Sequence, residues 1–392
     1  MSDGFDREID RTGTSSTKYD GRSMMFGHAE VMPMWVADMD FAAPAAVTEA
    51  LAARAAHPIY GYTLFPDSLY AALIDWLKVR HGWRVERDWI VFCPGVVPSL
   101  TTAILALTQP DEPVIIQPPV YFPFFSAVTK TGRQLNASPL RLEQQRYSMD
   151  FEGLAKQAET ARMLLFCSPH NPVGRVWQRP ELEQLLAIAK QHELIVVSDE
   201  IHADLVYPES KHHMLASLAD CPEQIITAVA PSKTFNIPGL NLSALIVPHT
   251  KYRAAISEYL DMIHVSAANP FSIVAFEAAY RHGGAWLDAL MAYLAETRDF
   301  IRQYLAEHLP EIRLISPEGT YLVWLDCRSL SLSDDMLAQF FVSQAGIGLS
   351  PGILFGKEGS GFMRMNIGAP RHQVRHALEK IRQAVDQRKQ RS

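Results

Sequence analysis

The sequence predicts an α/β protein whose mainly parallel sheet is sandwiched by helices. Two observations predict it. Between about residues 49 and 285, the runs "WIVFC", "PVIIQ", "RMLLFC", "LIVVSD", "QIITAV" and "SALIVP" are rich in Val and Ile and too short for helices, so they read as buried strands. Helix-length periodic stretches lie between them, such as 98–108 ("PSLTTAILALT") and 180–192 ("PELEQLLAIAKQH"). The second carries Pro in its first turn with acids after it, a favourable helix start. Beyond residue 285 the texture changes. Helices expected over 286–308 and about 371–390 flank the shorter apolar runs "TYLVWLD" and "GFMRMNIG", which suggests a smaller α+β unit. The expected division is a large domain, 49–285, and a small domain made of 1–48 plus 286–392, with a long helix near 250–300 between them.

Composition removes several function classes. Hydrophobic residues make up 48% and charged residues 20% of the 392, the balance of a globular protein able to bury a sizeable core. The formal charge of −7 argues against a nucleic-acid or anionic-membrane surface. The start, "MSDGFDREIDRTGTSS", has no apolar core of a signal peptide, and every long apolar stretch is cut by Asp, Pro or Arg. Cys93, Cys167, Cys221 and Cys327 lack metal or redox spacing, so four reduced core cysteines in a cytoplasmic protein are expected. No metal site is expected either. The adjacent His212 and His213 point in different directions and read as exposed loop residues.

In parallel sheets ligands sit beyond the carboxyl ends of the strands, so the residues after each run matter most. Five exits carry special residues. Gly95, Val96 and Val97 open a helix whose N-terminal N–H groups favour a phosphate. Tyr121 follows the second run and can lie flat on a ring, although an aromatic there is often core. Asn171, before a proline, can offer its amide to a phenolic oxygen or simply shape a turn. Asp199 ends "ELIVVSD", where a buried carboxylate needs a partner or caps a helix. Lys233 lies in "PSKTFNIP", between two prolines after "QIITAVA"; a buried lysine has a depressed pKa and can form a Schiff base with an aldehyde. An aldehyde cofactor also needs a carboxylate at its ring nitrogen, donors for its phosphate and a stacking partner. Each signal is weak alone. Their order along one sheet edge is what points to that chemistry.

The stretches "SPHNPVGRVW", "VSDEIHADLV", "SKTFNIPGL" and "FMRMNIG" resemble the fold-type I pyridoxal-phosphate enzymes, the aminotransferase class I/II superfamily, over nearly the whole chain. Within it, "VADMDF", "IYGY", "SDEIHADL" and "SKTFNIPGL" are most similar to the MalY/PatB-type cystathionine β-lyase (C–S lyase) branch. The resemblance implies a seven-stranded-type sheet and pyridoxal 5′-phosphate as cofactor. It implies that Lys233 links to the cofactor aldehyde, Asp199 binds the pyridine nitrogen, Asn171 and His202 contact the O3′ side, and Tyr121 stacks on the ring. Gly95, Val96, Val97 and Ser232 would hold the phosphate, with Tyr62 reaching the neighbouring subunit's cofactor in a homodimer. Arg364 would grip the substrate α-carboxylate through a bidentate fork. Ala37 and Asp38, within "MWVADMDF", would lie over the substrate. Two departures stand out. Ala230 occupies a position where many relatives carry Ser or Thr, and "PGLNLSA" lacks the arginine found several residues after the lysine.

The activity so implied is α,β-elimination of cystathionine or related S-substituted cysteines to pyruvate, ammonia and a thiol. An aminotransferase would use the same residues with a 2-oxo acid acceptor. A pyridoxal-phosphate-binding regulatory protein with little turnover is the third reading.

Overall fold

The computed structural model describes residues 4–265 and 268–391; the expected domains extend over residues 1–3, 266–267 and 392, which lie outside the described part. Its main sheet has seven strands: β1 (Ile90–Cys93), β2 (Pro113–Ile116), β3 (Gln134–Ala137), β4 (Met163–Cys167), β5 (Ile195–Asp199), β6 (Ile225–Val229) and β7 (Ser243–Ile246). They run in the order β1-β7-β6-β5-β4-β2-β3. All neighbours are parallel except β7, which is antiparallel to both β1 and β6. The carboxyl ends of β1 through β6 therefore share one edge. Every residue of β4, β5 and β6 is buried, which is why these strands read as continuous apolar runs rather than alternating ones. Strand β3, "QLNA", has no buried residue and sits at the sheet border, so its composition gave no strand signal.

Helices cover both faces. The helix expected over 98–108 runs Val96–Leu107, starting earlier because Gly95 takes the N-cap at φ +120°, a conformation that side-chain-bearing residues rarely adopt. The helix expected over 180–192 runs Arg179–Gln191, and Gln178 N–H donates to Glu181 Oε2 at its start. The single long helix expected near 250–300 is instead three: Thr250–Met262, Pro270–His282 and Gly284–His308. The first break is set locally. Asn269 caps the second helix by accepting from Phe271 and Ser272 N–H, with Pro270 in the first turn. At the second break, a Cβ on Gly283 would lie 2.3 Å from Phe235 Cε1, so the chain passes too close to the Lys233 segment for a side chain.

The C-terminal part holds a four-stranded antiparallel sheet in the order Arg313–Leu314, Leu322–Asp326, Phe362–Asn366, Ser350–Pro351. "TYLVWLD" and "GFMRMNIG" supply its two central strands, and Trp324 pairs with Arg364. The helices Gly284–His308 and Arg371–Arg391 pack together beside it. The N-terminal segment joins this sheet region: Met32–Pro33 pairs in parallel with Ile347–Gly348, and Asn366 N–H donates to the Met34 carbonyl at 2.9 Å. Helix Ala45–Ala56 leaves it and packs on Pro270–His282.

Three cysteines are buried as expected, but Cys221 is exposed. Among the described residues, no helix is long and apolar enough to cross a membrane, and no group of ligating side chains could hold a metal ion.

Candidate active site

A cavity of about 300 Å³ opens beyond the carboxyl ends of the strands. It is lined by Ala37, Gly95, Val96, Val97, Tyr121, Asn171, Asp199, His202, Ser232 and Lys233, with Ile201 and Leu242 among its apolar walls. Residues from Gly95 to Lys233 thus meet because the five strands that precede them end at one edge, and Ala37 joins them from the N-terminal segment.

The exits set the side chains locally. The β1 exit turns through Gly95 into the helix beginning at Val96, leaving the first backbone N–H groups free of helical partners. Tyr121, after β2, is fastened to the next exit by its N–H, which donates to the Asn171 carbonyl at 3.0 Å. Asp199 is the last residue of β5, and its Oδ1 accepts from Ile201 N–H at 3.1 Å. Lys233 sits in the one-turn helix Pro231–Thr234, directly after β6.

Burial governs the charges. The Asp199 carboxyl is pushed up to about 7, chiefly by desolvation, with the Glu200 charge adding and Ile201 N–H and Lys233 opposing. Desolvation brings the Lys233 amine down to about 8, where Arg364 helps and Asp38 and Asp199 resist. Its Nζ donates to the Ala37 carbonyl at 2.6 Å. His202 is lowered to about 3, by burial first and then by the Lys233 and Arg364 charges, so it is neutral at physiological pH. Its Nδ1 has no hydrogen-bond partner among the described residues.

Arg364 stands beside the cavity rather than in its lining. Its Nη1 donates to Asn171 Oδ1 at 3.1 Å, and its Nη2 donates to the Trp35 carbonyl at 2.9 Å and Ser350 Oγ at 3.3 Å. The guanidinium lies 4.8 Å from the Phe355 ring, and burial lowers it to about 10. Its Nε is buried and has no partner among the described residues. A buried cation with an idle donor is the arrangement expected of a site awaiting an anion.

Two expected residues behave differently. Tyr62 is fully exposed on the stretch between helices Ala45–Ala56 and Asp67–His81, and it does not line the cavity of its own chain. The Asp38 carboxylate is held in a bidentate pair with Arg11, at 2.8 and 2.9 Å, and of its segment it is Ala37 that lines the cavity. His212, expected to be exposed, is buried and bonded to Glu200 at 2.7 Å.

The chain matches the family described as aminotransferase class I and II over residues 29–381. It is 42% identical to cystathionine beta-lyase PatB of Bacillus subtilis, over 97% of this chain and 99% of that one. Protein MalY of Escherichia coli is 32% identical, with 97% and 98% covered. The crystal structure of cystalysin from Treponema denticola, which contains a pyridoxal 5′-phosphate cofactor, superposes with a TM-score of 0.95 at 34% identity, covering 98% of each chain.

The chain belongs to the aminotransferase class I and II family.

Two further residues bonded to the segment over the cavity gave no signal in the sequence. Tyr321 lies in a strand run that looked like plain core, yet its hydroxyl donates to the Ala37 carbonyl at 2.9 Å, the same acceptor that Lys233 uses. Asn236 belongs to "SKTFNIP" and sits at φ +56°, a conformation asparagine tolerates. Its amide donates to the Met39 and Phe41 carbonyls and accepts from Met39 N–H, all at 2.8 Å. The segment over the cavity is thereby stitched to the Lys233 turn.

Proposed function

We propose that this protein is a pyridoxal-phosphate-dependent carbon–sulfur β-lyase acting on cystathionine or related S-substituted L-cysteines. The observation that supports it most is the convergence of Lys233, Asp199, Asn171, Tyr121 and the Gly95–Val97 turn on one cavity. The residues fit the cofactor. The free N–H groups at Val96 and Val97, with Ser232, would take its phosphate; the wall contains no further charged phosphate ligand to replace the missing Ser/Thr at Ala230. Asp199 would keep a proton on the ring nitrogen, Tyr121 would lie on the ring, and Asn171 and the idle face of His202 would meet the O3′ side.

When bound, the cofactor supplies an aldehyde that condenses with amines and a protonated ring that takes up negative charge from the substrate Cα. Lys233 removes the Cα proton; with its amine lowered to about 8, a useful fraction is free base near neutral pH. Arg364 holds the substrate carboxylate through its unpartnered edge. Trp35 to Phe41 exclude water above the reacting bond. The thiolate leaves Cβ, and with water the remaining carbon skeleton ends as pyruvate and ammonia. Pyruvate and free thiol should form steadily from cystathionine with no 2-oxo acid present. Strict dependence on 2-oxoglutarate or pyruvate would establish the aminotransferase instead, and no product at all would favour the regulatory protein.

Arg364→Lys should lower kcat/KM for cystathionine about 10²-fold, mostly through KM, because one point charge replaces a fork and leaves Asn171 Oδ1 unpaired (~1.5–3 kcal/mol). An unchanged KM would remove Arg364 from substrate binding.

The homodimer belongs to the same proposal. Ile59, Tyr60, Tyr62 and Leu64 are all exposed on one stretch, an apolar surface that a monomer rarely leaves open. Sedimentation equilibrium should give twice the chain mass; a monomer would remove Tyr62 from any partner's site. The domain division is retained with its first boundary moved to Ala45, where the helix starts. Limited proteolysis cutting first near 283–286 would support it, and cuts inside the main sheet would not. The unpaired cysteines fit the expected cytoplasmic location, which cell fractionation checks.

A further inference from the structure

Behind the cavity wall lies a buried carboxylate that the proposed chemistry does not use. Asp204 is in the turn that follows Asp199. Its Oδ1 accepts from Trp76 Nε1 at 3.0 Å and pairs with His81 Nε2 at 2.8 Å, while its Oδ2 accepts from Thr234 Oγ1 at 2.9 Å. Thr234 is the residue after Lys233, in the same one-turn helix. Trp76 and His81 both stand on the helix Asp67–His81. One carboxylate therefore joins the turn after Asp199, the turn bearing Lys233, and an outer helix.

The tie is stiff for physical reasons. Burial alone would raise the Asp204 carboxyl, but His81, Thr234 and Trp76 outweigh it and hold the group below the usual carboxylate range. Moving any of the three elements would strand a buried charge or a buried donor. Around it the packing is aromatic: Trp76 stacks on Tyr280 at 5.2 Å and meets Phe235 edge-on at 5.5 Å. A second tie lies alongside. Glu200, next to Asp199, accepts from Ser198 Oγ at 2.9 Å and Leu215 N–H at 3.1 Å, and pairs with His212 at 2.7 Å.

Lysine carries a long flexible side chain, so the scaffold can aim its amine only by fixing the backbone from which it springs. We propose that Asp204, acting through Thr234, is a positioning residue that fixes the Lys233 turn relative to Asp199. It touches neither substrate nor cofactor, and the inference rests on reading the cavity as a pyridoxal-phosphate site.

The test uses three variants of the holoenzyme. Thr234→Val replaces the hydroxyl by a methyl group and removes one donor from Asp204. We expect the visible circular dichroism of the bound cofactor, which reports the orientation of the ring in its chiral surroundings, to change at least about two-fold. We expect kcat to fall roughly 10–100-fold with KM within about three-fold, as misplacement of a reacting group predicts. Thr234→Ser, which keeps the hydroxyl, should restore both. Leu185→Ala is the control for general loosening: it lies in the helix Arg179–Gln191, which contributes nothing to the cavity, and should lower thermal stability while leaving dichroism and kcat within about two-fold. Wild-type dichroism and kcat in Thr234→Val, or equal disturbance by Leu185→Ala, overturns the positioning role. A wild-type protein with no visible cofactor band overturns the cofactor reading itself, so the two failures are told apart.

Discussion

Lys233→Ala should lower kcat for β-elimination by at least about a thousand-fold while the protein stays folded. General-base removal alone is worth roughly 10²–10⁴-fold, and this lysine would also lose its covalent role toward the aldehyde. Both proposed roles have a physical rationale. Desolvation holds the amine near 8, and the Ala37 carbonyl, braced by Tyr321, fixes where it points. The variant should lack the visible band that borohydride bleaches in wild type, with its far-ultraviolet dichroism unchanged. Alanine leaves only a small loss of packing, because the wild-type side chain faces a cavity rather than a filled core. A variant retaining more than about a tenth of wild-type kcat would remove Lys233 from the chemistry.

Asp199→Asn should have opposite effects on the empty and the loaded protein. In the unfolded chain this carboxyl titrates at its ordinary value of 3.8, and in the folded protein at about 7. Between those values the folded state binds the extra proton, so this group's contribution to stability falls as pH rises from about 4 to about 7 and stays low above that. The full penalty is on the order of 4 kcal/mol. His170 and His202, buried neutral and lowered to about 4 and about 3, act in the reverse sense: their contributions rise with pH up to the ordinary histidine value of 6.5. The clean measurement is therefore the difference between variant and wild type. Without cofactor, Asp199→Asn should gain stability relative to wild type across pH 4–7, with a plateau above. With cofactor the order reverses, because a pyridinium N–H would neutralise the carboxylate and asparagine cannot do so. Cofactor affinity and kcat should each fall about 10²-fold or more, the cost of breaking a buried charge pair. Parallel pH–stability curves for the two cofactor-free proteins would show that Asp199 is not strained in the empty site.

How much of this was legible depended on distance along the chain. Gly95, Tyr121, Asn171, Asp199 and Lys233 drew notice because each ends a buried apolar run or lies in the few residues after one, and the exit rule applies to one strand at a time. Strand β3 escaped notice because border strands need not be apolar. The single connecting helix is instead three, and at its second interruption Gly283 lies against Phe235, nearly fifty residues earlier, a contact that no local pattern announces. His212 looked solvent-facing because nothing near it announces Glu200 as a buried partner. Tyr321 and Asp204 gave no signal for the same reason: their partners are Ala37, and Trp76, His81 and Thr234.

The amino-acid order by itself determined the strand–helix alternation, the sheet edge beyond which the cavity opens and the residue types that line it. These are consequences of local periodicity and of what a buried strand must present when it ends. Only the folded chain decided which of those side chains face one another, how far burial shifts Asp199 and Lys233, and that Asp38 pairs with Arg11 while Tyr62 points outward. Desolvation and pairing depend on atoms brought together from remote positions, and no stretch of sequence contains them.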